Sequence, residues 1–351
     1  NKRQKAATQN SIIGVLGTIA SAVLLGDSTF GQLGQKLFSQ GSQLLTLRFS
    51  RAQETEADNL GIAYLRQASY DPRAMSTVLQ SLANQNALEA RLMGSSTRVP
   101  EWASTHPDPA SRVRTALAAA GANATGATNR DVFLRGVDGL LYGDDPKQGV
   151  VDGAKFTHPD LRFSFQAPQG FYLINGTRAV SIGGQSGKGE FSGAAYSGDL
   201  DAYIRAAFTA LGQGSQQQIA PQSIERSTVN GIPAAYGVAR VNGQSGPLDV
   251  VVFAYEFSKT QAFHFMTITQ AGQAAAFNPM FQSMTRISAA DAAKVRARKV
   301  VVVTVRSGDT LQSLADRMAY SDVPMERFLV LNGLSASSRI TAGQKVKLVV
   351  F

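Results

Sequence analysis

The chain has no cysteine, which excludes disulfides, thiolate metal sites and a cysteine nucleophile. Histidine is scarce too: His106, His158 and His264 are all there are, and none is followed by glutamate. No apolar run is long enough to span a bilayer. The longest, "SIIGVLGTIASAVLLG", covers residues 11–26, short of the ~20 residues a spanning helix needs. It reads as a buried or interfacial helix, with Gly14, Gly17, Ala20 and Ala22 allowing close helix packing. Charged residues are only 17% of the chain, and no Lys/Arg run interleaves with aromatics. A nucleic-acid partner is therefore not expected. The sequence opens "NKRQKAATQ", with neither a methionine nor a signal peptide, and reads as a start inside a larger protein.

What is present points to several folded units. A length of 351 residues suggests two or three domains, and 44% hydrophobic residues supply their cores. The net charge of +9 favours anionic partners such as lipid headgroups or envelope polymers.

Periodicity divides the chain. Residues 1–121 read as helical, with apolar spacing at Leu33, Leu37, Leu44, Leu45 and Leu47, then at Leu60, Ile62, Tyr64 and Leu65. "YDPRAMSTVLQSLANQ" (70–85) starts a helix with Asp71 as N-cap and Pro72 in the first turn. "STHPDPASRVRTALAAAG" (104–121) gives another, ending at Gly121. Residues 122–155 are rich in Gly, Asn, Asp and Thr and read as a linker or an irregular crossover. Residues 156–290 change to a period of two, with helices at 200–212 and 271–284, and so form an α+β domain on a mostly antiparallel sheet. Its turn residues Pro168, Gly170 and Phe171 carry no recognised motif. Residues 291–299 are a basic connector. Residues 300–351 read strand, helix, helix, strand. Thr310 or Asp309 caps the first helix, and Asn332 and Gly333 stop the second.

The chemistry-bearing stretch is "RAQETEADNLG", residues 51–61. On a helix Glu54 and Asp58 share one face, while Glu56 points elsewhere. Two carboxylates so placed repel, unless a cation or a histidine sits opposite. By itself the pair is either a solvated face or part of a metal site. Ala57 and Gly61 leave room for a neighbouring helix.

The run Arg51–Gly61, R-x-x-E-x-E-A-D-x-x-G, resembles the third-ligand helix of HtpX-like, CAAX prenyl-protease-like zinc metallopeptidases of the periplasmic type. "GIAYLRQASYDPRAM" and "THPDPASR" extend the resemblance over residues 1–121. In that family an H-E-x-x-H helix supplies two histidine ligands and the general base. The resemblance implies that Glu54 is the third Zn2+ ligand and that Asp58 supports a ligand histidine. It implies for His106 either a fourth-ligand role that shuts the site or a role in stabilising the oxyanion, which Arg112 would share. Without it, His106 is a loop residue at a helix start and Arg112 a surface arginine. His158 and His264 read as structural. This sequence departs from the family in having no H-E-x-x-H, so the expectation is that the motif lies outside it or has degenerated. This chain alone is then expected to be inactive.

Residues 300–351 resemble a LysM module through "VRSGDTLQSLA", "LNGL" and "ITAGQKVKL". This implies peptidoglycan binding in a groove near 308–311 and 331–334, with Tyr320 and Phe328 as the nearby aromatics. A purely architectural module is the other possibility. The fold expected is therefore multidomain: an α-helical metallopeptidase part, an α+β antiparallel-sheet domain, and a small βααβ LysM-like domain. The function implied is a zinc-dependent metalloendopeptidase of the periplasm or cell envelope, with or without membrane association. It would act on a protein or peptide substrate, in quality control or envelope assembly. Its partner would be the missing H-E-x-x-H segment. The alternative is a non-catalytic cell-wall-binding or assembly protein.

Overall fold

The computed structural model describes residues 51–92, 109–121, 123–213, 218–243 and 246–351. The apolar stretch 11–26, the leucine spacing at 33–47 and His106 with the run before it lie outside the described residues. The chain divides into two compact units. One holds residues 144–296, and the other holds 51–143 together with 297–351.

In the second of these, α1 (Arg51–Gln67), α2 (Ala74–Leu92) and α3 (Pro109–Ala120) pack around Ile62, Leu79 and Ala116, with Met75 and Val113 at the margin. Gly61 lies directly under Met75, whose flexible Cε end would be 2.3 Å from an added Cβ and would have to move aside for a larger residue. Ala57 by contrast is exposed. Of the four apolar residues expected to bury α1, only Ile62 does so fully, while Leu60 and Tyr64 face solvent. Asp71 forms the turn before α2, its Oδ1 accepting the Arg73 N–H at 2.9 Å. Arg66 donates to the carbonyls of Ala119 and Ala120 at 2.8 and 2.9 Å. A cation thereby covers acceptors that the end of α3 leaves without helical partners.

Of the two readings for 122–155, the described residues from 123 onward follow the irregular crossover rather than a free linker. Ala127 pairs with the α1–α2 turn, accepting from Asp71 N at 3.1 Å and donating to Ser69 O at 3.0 Å. Only glycine fits at position 126, where a Cβ would meet the Tyr70 and Asp71 backbone at 2.3–2.5 Å. A short helix, α4 (Arg130–Val137), follows and buries Leu134. Residues 139–142 then run alongside the strand at Lys299–Thr304: Gly139 N donates to Val300 O (2.7 Å), Val300 N to Leu140 O and Tyr142 N to Arg298 O (both 2.8 Å). Turn-rich composition concealed this because the partner strand is distant in sequence.

The C-terminal part of the same unit consists of β12 (Lys299–Thr304), α8 (Leu311–Ala315), α9 (Pro324–Asn332) and β13 (Lys345–Val350). β12 and β13 are antiparallel, with Lys299 opposite Val350 and Thr304 opposite Lys345. Thr310, not Asp309, is the N-cap, in a reciprocal capping box with Ser313. Gly333 ends α9 at φ 63°, a left-handed conformation that glycine adopts without strain. Leu314, Phe328, Val346 and Leu348 form the core, and Tyr142 from the preceding strand packs into it.

The unit of residues 144–296 has two antiparallel sheets. The smaller comprises β1 (Val150–Asp152), β2 (Lys155–His158), β3 (Phe163–Gln166) and β11 (Thr285–Arg286), in that order. The larger has the order β4-β5-β6-β10-β9-β8-β7, from β4 (Phe171–Asn175), β5 (Val180–Gly184), β6 (Gly187–Ala195), β7 (Ile224–Val229), β8 (Ile232–Gly243), β9 (Gly246–Ser258) and β10 (Gln261–Gln270). β9 is central and covered on both faces, which explains its near-continuous apolar run. Its Val250, Val252 and Ala254 pack with Ile204 and Phe208 of α5 (Leu200–Gln213). Its Val251, Phe253 and Tyr255 join Phe156, Phe165 and Phe265 in a second, aromatic core. The helix expected at 271–284 is a 3-10 turn (Ala274–Phe277) followed by α6 (Asn278–Ser283), the break falling at Pro279, the second residue of α6. Among the described residues no helix is long and apolar enough to cross a membrane.

Candidate functional site

The phase of α1 separates its three carboxylates. Glu54 and Asp58 are 6% and 8% exposed, whereas Glu56 is exposed. The cation that such a pair requires comes from α3. Arg112 sits one turn before the buried Ala116, so it points at α1 from the packed face. Its Nε and Nη2 donate to Asp58 Oδ2 and Oδ1 at 2.8 and 2.6 Å, and its Nη1 lies 2.5 Å from Glu54 Oε2. The side chain is only 15% exposed, so it is not an ordinary surface arginine. Hydrogen bonding to Asp58, then the charges of Asp58 and Glu54, hold its guanidinium above its already high range, against desolvation.

Asp58 thus meets Arg112 with both oxygens, at the position where the resemblance implied a histidine partner. The bidentate pair fixes the guanidinium plane, and the remaining N–H edge fixes one oxygen of Glu54. A cleft of about 120 Å³ opens beside them, with Thr55, Asp58, Asn59, Ser111, Arg112, Thr115 and Ala116 on its walls.

A three-ligand zinc site does not fit these residues. Among those described, no three His, Cys, Asp or Glu side chains come together, and the carboxylates are held by an arginine. The arrangement supplies one carboxylate of the kind zinc accepts, held at a fixed angle.

The 144–296 unit holds a second polar group, with His264, Ser192 and Tyr203 buried and Glu190 half-buried, which pattern reading did not connect. His264 on β10 lies opposite Ser192 on β6, and its Nδ1 is 2.9 Å from Tyr203 Oη of α5. Tyr203 Oη also accepts the Ala194 N–H at 3.1 Å. Ser192 donates to Glu190 at 3.4 Å. Desolvation pushes Glu190 up to about 7 and His264 down to about 4. The available signal was a lone carboxylate on the alternating strand "GEFSGAAYS". His158 accepts the Leu161 N–H at 3.3 Å in a β-turn, a structural role.

Sequence comparison agrees with the two ends of the chain. Residues 3–120 match Peptidase family M48, and residues 303–349 match the LysM domain. The chain thus carries an M48 peptidase segment and a LysM domain. Its first segment is similar to the beta-barrel assembly-enhancing protease of Yersinia pestis, with 34% identity over 101 residues, covering 29% of this chain and 19% of that protein. The same protease of Escherichia coli (strain K12) is 36% identical over 101 residues, with the same coverage. The mitochondrial metalloendopeptidase OMA1 of Schizosaccharomyces pombe (strain 972 / ATCC 24843) is 39% identical over 84 residues, covering 24% of this chain and 22% of that one. The chain therefore spans about a fifth of the length of the curated relatives it matches. The solution structure of cyanobacterial PsbP (CyanoP) from Synechocystis sp. PCC 6803 is 10% identical, covering 38% of this chain and 91% of that one. Its TM-score is 0.31.

Proposed function

We propose that this chain is part of a zinc-dependent metalloendopeptidase of the bacterial cell envelope, acting on protein substrates in quality control or outer-membrane assembly. One observation supports it most. Within the M48 match, the two carboxylates that the family resemblance singles out are buried side by side and oriented by a single arginine, while Glu56 is left in solvent. In this reading Glu54 is a zinc ligand and Arg112 and Asp58 hold it in place. When bound, zinc would activate water for attack on a peptide carbonyl. The two histidine ligands and the general base are not in this sequence, so this polypeptide alone is expected to retain no zinc and cleave nothing. His106 belongs to the same reading, either shutting the site or stabilising an oxyanion.

The test is metal retention by a polypeptide carrying both this segment and an H-E-x-x-H helix. Glu54→Gln should lose zinc through dialysis and Glu56→Gln should keep it. Equal loss in both would sink the assignment. In the same polypeptide His106→Ala should keep its zinc and change activity, upward if His106 shuts the site.

A second reading is supported by the closed Glu54–Arg112–Asp58 arrangement itself: a non-catalytic envelope protein in which arginine takes the place of metal. Under it the LysM domain is the functional end and binds peptidoglycan. Pull-down on insoluble cell wall, comparing the chain with a version ending at Ala290, separates glycan binding from a purely architectural module.

A further inference from the structure

We infer that residues 130–142, seated on the LysM sheet, form a peripheral docking surface for an anionic lipid bilayer. The inference is independent of the peptidase reading. Of the eleven large apolar side chains exposed among the described residues, four fall within 132–141: Val132 (59%), Phe133 (58%), Leu140 (57%) and Leu141 (42%). The backbone holding them is not loose. It is fixed by the ladder from Gly139 to Tyr142 along β12, by Leu134 buried beneath α4, and by Asp138 Oδ1 accepting the Val302 N–H at 2.8 Å. An anchored segment that shows this much apolar surface to water carries a free-energy cost that contact with another phase would remove.

The surroundings identify that phase by charge. Arg130 and Arg135 lie on α4 itself, Lys299 on β12, and Lys345 and Lys347 on β13. Two acids accompany these five bases: Asp131 pairs with Lys345 at 3.3 Å and Asp138 caps the Val302 amide, so the bases keep an excess of three over the acids. Lys347 Nζ lies 6.0 Å from the Phe133 ring centroid, so cation and apolar surface are adjacent. Apolar side chains rimmed by bases match the boundary of an anionic bilayer, where aromatic and aliphatic groups enter the acyl margin and bases meet phosphates. A protein-interface core would instead be depleted of charge. The net charge of +9 acts in the same direction.

Flotation of the whole chain with vesicles tests this. Equimolar phosphatidylglycerol and phosphatidylcholine should carry the protein up the gradient, and pure phosphatidylcholine should carry much less. Phe133→Ser should weaken binding about tenfold, on the scale of a partly buried aromatic side chain. Arg135→Gln should weaken it about fivefold, with a shallower salt dependence. Because Phe133 also touches Lys347, Leu140→Ser is the companion variant, with circular dichroism checking the fold of each. Absence of flotation, or flotation unchanged in Phe133→Ser and Leu140→Ser, overturns the inference. So does a concentration-dependent dimer that Phe133→Ser abolishes, since the occupant would then be a second copy of the chain.

Discussion

Two regions of this protein bury ionisable side chains, and they do so by opposite means. On α1, Glu54 and Asp58 are both met by Arg112, which reaches them at 2.5 and 2.6 Å. In the 144–296 unit, His264 and Glu190 have no such counter-charge, and desolvation drives each towards its neutral form. The first solution fixes geometry through ion pairs. The second leaves geometry to hydrogen bonds with Tyr203 and Ser192 and makes stability depend on pH. A site meant to present a carboxylate to a cation needs the first kind of support.

The comparison can be broken most forcefully at Arg112. Arg112→Met leaves two carboxylates buried four residues apart, and should destabilise the packing of α1 on α3 by about 3 kcal/mol. Hydrogen exchange of the α1 amides measures this, and protection equal to the parent would show that the ion pairs are incidental. Glu190→Gln comes next. Glu190 titrates higher in the folded chain than its free value of 4.5, so the stability its proton confers is complete below that value and is lost as pH rises through about 7. The glutamine variant should be about 2 kcal/mol more stable than the parent at pH 8 and nearly equal at pH 4.5. Exchange of the β6 amides at the two values reads the difference.

His264→Phe sharpens the acid side. The folded value of about 4 lies below the free value of 6.5, so its stabilisation is present above 6.5 and is lost as pH falls through 4. Replacing the Tyr203 partner should cost about 1 kcal/mol at pH 7. That difference should vanish or reverse at pH 4, as followed on β10. The smallest effect belongs to Glu56→Gln. An exposed carboxylate on the same helix should change stability by less than about 0.5 kcal/mol. A larger loss would mean that α1 has been assigned the wrong phase.

Local patterns made much of this legible. Four-residue spacing separated Glu54 and Asp58 from Glu56. The Thr310 or Asp309 cap and the Asn-Gly stop located both helices of the LysM domain, and period-two alternation located β3, β5, β6, β8, β9 and β10. What could not be read depends on tertiary partners. Arg112 lies 54 positions from Asp58, and although the family resemblance picked it out for an oxyanion role, nothing in "ASRVR" shows that it pairs with the two carboxylates. Residues 123–143 look like a linker because, beyond the short helix α4, their anchoring hydrogen bonds go to Ser69, Asp71, Arg298 and Val300, distant in sequence. The same holds for Glu190, whose burial comes from sheet packing rather than from its neighbours in sequence.

The hydrogen bond from Tyr142 N to Arg298 O has a topological consequence. It holds together two points of the chain between which all of residues 144–296 are threaded. The sheet domain is therefore an insertion: it leaves and re-enters its host at adjacent strands, as a hairpin loop does. Its length costs the host little, because closure entropy grows only with the logarithm of loop size and the host's own strand pairing pins both ends. Such an insertion is free to vary or be exchanged without altering the register in which residues 139–142 meet β12, or the surface they present.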